Sequence, residues 1–309
     1  MKNNLTKFYC AFIVSVVLGF ISVQNLFAYP LEYPQSDKQI ITLLQSTDKK
    51  INMKDLFAWC IVPYDSMNRT PEQRIEMLKE LGFKSYAYDW REKHLKEAAH
   101  ELRLAKENGI EIKAVWIWID TQTDKPGKLS NANETIFNAL KETGTSTQVW
   151  LGFNETYFND MKQEDAVSKG IEMLSYLNDR AKESGSKIAL YNHGGWFGEP
   201  ENQVEIIKRL PNCEIGIIYN FHHGHTQIER FPQLIKIMKP YLWAVNLDGM
   251  KKEGPMILPI GKGDLEKKMI QMLLESGFEG PFGILGHTEG EDVKEVLKRN
   301  IDGLRSIGY

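Results

Sequence analysis

The 309-residue sequence predicts a single-domain α/β protein, a (β/α)8 TIM barrel. Three observations carry that expectation. Short apolar runs recur from Leu56 to Leu285, each followed by an amphipathic stretch with helix start and stop signals. Parallel strands buried on both faces read as continuous apolar runs, and eight such units in about 250 residues fit a closed barrel. Nearly every run ends in polar, chemically competent residues, whereas the opposite turns are plain Gly82-Phe83, Asn108-Gly109 and Ser276-Gly277. The alternative, an open doubly wound sheet, calls for a glycine-rich phosphate turn after an early strand, and none is present.

The elements follow in order. Residues 1–28 have the layout of a secretory signal: Lys2 and Lys7, an apolar run from Phe8 to Val23, and a small residue, Ala28, at the expected cut. An uncleaved anchor is the alternative, although the run falls short of the ~20 residues that span a bilayer. Either way the folded part is expected to be exported, periplasmic or secreted. Residues 29–55 form a polar lead-in with a short amphipathic helix at Ile40–Leu44, and residues 56–309 form the barrel. Strands are expected at Leu56–Val62, Ser85–Trp90, Ile112–Ile119, Gln148–Phe153, Lys187–Tyr191, Glu214–Tyr219, Tyr241–Leu247 and Pro281–Leu285. The helices between them are expected at 70–81, 95–107, 133–142, 165–183, 201–209, 227–238, 264–275 and 291–305. Thr70-Pro71 supplies a cap residue and a proline at the first helical position. An insertion, Gly249–Gly263, interrupts the seventh unit.

Net charge −3 with acidic and basic residues interleaved leaves no electrostatic footprint for nucleic acid. Cleavage after Ala28 leaves Cys60 and Cys213, expected at opposite ends of the barrel and therefore free.

In a TIM barrel the active-site face is built from residues just past the strands. Five of the seven histidines lie there, most densely in the stretch Ile217–His225, which ends an apolar run in His222, His223 and His225. One histidine at a strand end is usually a satisfied structural group. Several converging on one rim would repel when protonated and are better explained by a shared cation or substrate. His193, His222 and His287 with the hard oxygen of Asp248 are therefore candidate ligands for one divalent ion such as zinc, manganese, cobalt, nickel or iron. Glu155, His223 and Asp89 are candidate catalytic groups; helix capping by Glu155 and an Asp89–Arg91 ion pair are the bland alternatives. Trp90, Trp118 and Trp196 could offer flat faces to a sugar ring, with Arg91, His225 and Lys262 as further substrate contacts.

These residues resemble the xylose isomerase-like TIM-barrel superfamily of sugar phosphate isomerases and epimerases. The resemblance covers roughly residues 57–304 and rests on Met77–Phe83, Tyr191-Asn-His193, Asn220-Phe-His-His223, Asn246-Leu-Asp248, Ile260–Asp264 and Gly277–Pro281. It implies one divalent metal held by Glu, Asp, His and Glu from strands five to eight. The matching positions here hold Tyr191, Asn220, Asn246 and Leu285 or Gly286, so the carboxylates of the usual two-carboxylate mechanism are replaced. The resemblance implies an enzyme acting on a sugar or keto-sugar by metal-assisted proton transfer, as isomerase, epimerase, lyase or hydratase; the export expected from residues 1–28 points to an unphosphorylated substrate, because sugar phosphates are largely cytoplasmic. A sugar-binding barrel without catalysis and a metal-dependent phosphoesterase are the alternatives.

Overall fold

The computed structural model describes residues 50–309. The signal segment and the Ile40–Leu44 helix lie outside the described residues. Eight strands close into a barrel in sequence order: β1 Leu56–Trp59, β2 Ser85–Tyr88, β3 Glu111–Ile119, β4 Gln148–Phe153, β5 Lys187–Tyr191, β6 Ile215–Asn220, β7 Leu242–Leu247 and β8 Phe282–Leu285. Every pairing is parallel, and β1 closes on β8 with Leu56 opposite Phe282 and Trp59 opposite Leu285. The connecting helices are α1 Pro71–Glu80, α2 Ala98–Glu107, α3 Asn131–Thr143, α4 Gln163–Lys182, α5 Pro200–Lys208, α6 Phe231–Met238, α7 Glu266–Glu275 and α8 Val293–Ser306.

Local chemistry sets these bounds. Thr70 caps α1 in a reciprocal capping box with Gln73, as the sequence signals suggest. The apolar run Leu56–Val62 yields only a four-residue strand, because Cys60 turns into the left-handed region (φ 57°) and takes the chain out of the ladder. β2 stops at Tyr88 rather than Trp90, whose indole instead donates to the Trp116 carbonyl at 2.6 Å. The sixth helix begins at Phe231 rather than 227: Pro232 sits in its first turn, and His225–Arg230 forms a 3-10 segment ahead of it. Buried Glu266 ties down the insertion, accepting from the backbone amides of Gly261, Gly263 and Met250.

Two apolar layers result. One lies between strands and helices. The other fills the barrel, where Phe57, Trp59, Trp150 and Tyr191 pack against small Ala87, Ala114, Ala189 and Ala244. Gly216 belongs to the same scheme: a Cβ there would lie 2.0 Å from the Trp243 ring, so only glycine lets that indole in. The aromatic interior forms a rigid floor beneath the C-terminal rim.

Candidate active site

Strand ends of the barrel surround a cavity of about 520 Å³ at the C-terminal face. Its base is Trp59, Trp116 and Tyr191, with the Trp116 and Tyr191 rings 4.9 Å apart edge to face. One wall carries Asp89, Trp90 and Arg91 from the end of β2, and the opposite wall carries the histidines. Among the described residues this assembly contains eight of the thirteen candidates: Asp89, Trp90, Arg91, Trp118, His193, His222, His223 and His287.

The histidines form a row. His193 and His223 ring centroids are 4.3 Å apart, His223 and His222 4.4 Å, His222 and His287 5.5 Å, and His287 lies 3.5 Å from the Tyr64 ring. The row forms because the chain just past β5, β6 and β8 brings one or two imidazoles each to the same cavity. Burial pushes all four below the usual histidine range, and the neighbouring imidazoles add to this for His223, His222 adding to it for His193 and His287. His287 falls to about 4. The row is therefore neutral at pH 7 and able to give or take a proton. His222 Nδ1 lies 3.0 Å from the Met256 carbonyl, which only accepts, so that nitrogen carries the hydrogen and Nε2 is left as an acceptor.

Asp89 faces the row from β2. It is 2% exposed; Oδ1 accepts from the Val62 amide at 3.3 Å and Oδ2 has no partner. Burial raises its pKa to about 7, against the pull of Arg91 and the Val62 hydrogen bond. Arg91 does not pair with it at hydrogen-bond distance. Its guanidinium donates to the Trp90 carbonyl and to the Tyr64 hydroxyl at 2.7 Å, bracing the mouth of the cavity.

The remaining candidates lie elsewhere. Asp248 is buried beside the backbone of Gly249 and Leu258, beneath the insertion, and does not line the cavity. The four expected metal ligands are thus not brought together: three stand in the histidine row and the carboxylate is outside it. Glu155 is exposed in the 3-10 turn after β4, packed against Gly194, and reaches the site only through its charge, which raises the His193 pKa against burial. Trp196 donates to Gln163 Oε1 and stacks near Phe158, outside the cavity. His225 lies beside the backbone of Lys251 and Met256, and Lys262 lines a separate surface cleft with Lys298 and Arg299. The β3–α3 loop was missed: Thr123, Asp124, Ser130 and Asn133 form a cavity wall. Its sequence signal is the helix cap Ser130, whose amide donates to Asp124 Oδ1 at 2.8 Å.

The neutral row predicts an acid-labile fold. The unfolded chain titrates its histidines near the ordinary ~6.5 whereas the folded pKa values are lower, so below that pH the unfolded state binds more protons and stability falls as pH drops toward 4. Asp89, with a raised pKa, works in the opposite direction. Comparison with a variant therefore isolates the histidine effect: His287→Gln should lose less urea stability than the parent between about pH 7 and about pH 5. Equal losses would show that the folded protein holds His287 protonated.

No curated protein matches the sequence. Among solved structures, the chain is similar to 3-keto-D-glucoside 4-epimerase from E. coli (TM-score 0.64, 16% identity, 82% of this chain and 100% of that one). It is also similar to the IOLI protein with a bound zinc atom (TM-score 0.63, 15% identity, 82% and 97%). A third is a probable 3-DHS dehydratase from Bacillus anthracis (TM-score 0.59, 12% identity, 81% and 98%). A divalent ion at the family's strand-end positions does not suit the side chains here. Tyr191 and Asn220 are hydrogen-bonded to each other, Leu285 is a buried hydrocarbon, and among the described residues no three His, Cys, Asp or Glu side chains are grouped to hold a metal. Residues 75–307 match the xylose isomerase-like TIM barrel family along most of the chain, and the protein belongs to that family.

Proposed function

We propose that this protein is an exported carbohydrate-modifying enzyme that moves a proton at the carbon beside the carbonyl of an unphosphorylated keto-sugar. The observation that carries this reading is Asp89: a buried carboxyl poised near pH 7, with a free oxygen, in an aromatic cavity facing neutral imidazoles. A general base works best when its pKa lies near the operating pH. Asp89 takes the proton, and His223, at the centre of the row, relays one: its N–H gives a proton to carbon or to a departing hydroxyl as its other nitrogen takes one from solvent, so the imidazole ends neutral. The first outcome is isomerisation or epimerisation and the second is lyase or hydratase chemistry. The indole faces of Trp90 and Trp118 suit a sugar ring. Arg91 is the one Lys or Arg among the described cavity-lining residues, and it is committed to Tyr64 and Trp90, which leaves no phosphate clamp. The folds of a keto-glucoside epimerase and a dehydratase agree with either outcome. Export rests on the Met1–Ala28 segment.

The replaced ligand positions favour a second reading, a sugar-binding barrel without turnover. One experiment separates the two. Methyl 3-keto-glucoside and fructose are incubated with the protein in heavy water and followed by proton NMR. Every reaction named above begins with loss of the hydrogen next to the carbonyl, so that hydrogen should exchange out to solvent and its signal fall: deuterium enters there on isomerisation or epimerisation, and a double bond forms there in lyase or hydratase chemistry. Binding of either sugar without exchange would sink the enzyme reading and leave the sugar-binding one.

A further inference from the structure

We infer that the Tyr191 hydroxyl takes the place of the family's metal ion, donating its hydrogen directly to the substrate oxyanion. This rests on the proposed proton transfer. Tyr191 occupies the first of the four ligand positions, at the end of β5, and lines the cavity at its base. Hydrogen-bond accounting fixes what it does there. Trp59 Nε1 donates to its oxygen at 2.8 Å, and Asn220 Nδ2 donates to the same oxygen. The Asn220 amide cannot be the other way round, because its Oδ1 accepts from the His222 amide at 3.1 Å. A phenol oxygen has two lone pairs. Both are used, so the hydroxyl hydrogen is left to give away, and two donors on the oxygen make it a stronger donor through cooperative polarisation. Asn246, at the third ligand position, is a further side-chain hydrogen-bonding neighbour of the phenol, and its Oδ1, with no other partner, accepts the hydroxyl hydrogen until a substrate oxyanion replaces it. Trp116 and Trp150 pack against the ring and hold its direction.

The step balances without a cation. Asp89 removes the hydrogen on the carbon beside the carbonyl; the C–H pair becomes the C=C bond and the carbonyl π pair moves onto oxygen. The resulting enolate oxygen is held by the Tyr191 O–H, and reprotonation of carbon reverses the flow of electrons. A donor aimed at where charge develops acts on the transition state rather than on substrate binding.

Heavy-water exchange of methyl 3-keto-glucoside is measured for the parent and Tyr191→Phe, each before and after dialysis against a chelator, with tryptophan fluorescence reporting sugar binding and elemental analysis reporting metal. The inference expects no bound metal, no effect of the chelator, and a kcat for exchange in Tyr191→Phe lower by about 100- to 1000-fold with KM and fluorescence response little changed. Sugar binding by Tyr191→Phe shows that it is folded; should it not bind, Trp59→Phe, which removes one donor to the phenol, must lower kcat in the same direction. Exchange that dies on chelation and returns with zinc or manganese overturns the inference, as does a Tyr191→Phe protein as fast as the parent. Both outcomes leave the proposed function standing. A parent protein that binds the sugar without exchange removes the proposed function, and this inference with it.

Discussion

Asp89→Asn is expected to lower the rate of keto-sugar proton exchange about 1000-fold, within the range of roughly 10²–10⁴ that a positioned general base supplies. The amide keeps the shape of the side chain and its contact with the Val62 amide while removing the basic oxygen. In the parent protein the working form is the carboxylate, so kcat/KM should rise as pH increases through about 7 and then level off. No falling limb from the histidine row is expected in that range, because burial keeps those imidazoles neutral already. The same substitution should stabilise the fold at alkaline pH. A carboxyl whose folded pKa is raised binds its proton more tightly folded than unfolded, so its contribution to stability is lost as pH climbs from about 4 to about 7. A neutral amide has nothing to lose. Slow exchange combined with a higher melting temperature above neutral pH would mark Asp89 as a site where stability is given up for chemistry. Exchange at the parental rate in Asp89→Asn would eliminate it as the base.

Glu101→Ala is expected to cost about 3–5 kcal/mol of folding stability, the range for breaking a buried ion pair from one side. Glu101 on α2 and Arg74 on α1 are 1% and 2% exposed, with the guanidinium donating to both carboxylate oxygens at 2.7 and 3.3 Å. Tyr86 of β2 donates to the same carboxylate at 2.8 Å. Removing the acid leaves a buried charge and a buried hydroxyl without it, although the Arg69 carbonyl still accepts from Arg74 at 3.1 Å. Against a typical total of roughly 5–15 kcal/mol this is a large fraction. Urea unfolding should show it as a shift in midpoint at constant slope. Replacing all three groups together, Arg74→Met, Glu101→Leu and Tyr86→Phe, should recover most of the loss, because desolvation and attraction nearly cancel in such pairs. A cost below about 1 kcal/mol for Glu101→Ala would mean that water reaches Arg74.

The sequence by itself determined the barrel and its polar rim. Strands of a parallel barrel are covered by helices outside and packed side chains inside, so they appear as apolar runs whose order needs no tertiary information. β4 and β5 accordingly begin and end where the pattern places them. Caps are equally local: Thr70 and Gln73 lie three residues apart and need only each other. Side-chain direction after each strand was not legible, because it depends on where the next element pulls the chain. Asp89 and Asp248 both follow strands closely, yet Asp89 faces the cavity while the insertion after β7 covers Asp248. Glu155 and Trp196 are carried outward by the 3-10 turn and by α4. Only the tertiary structure decided that Asp89 is poised near neutrality and that four imidazoles stay uncharged, since both are consequences of burial beside particular neighbours. It also decided the state of Tyr191, whose place in the sequence marks a lost carboxylate. Its two donors come from β1 and β6, 132 and 29 residues away along the chain, and converge on one oxygen only when the barrel closes.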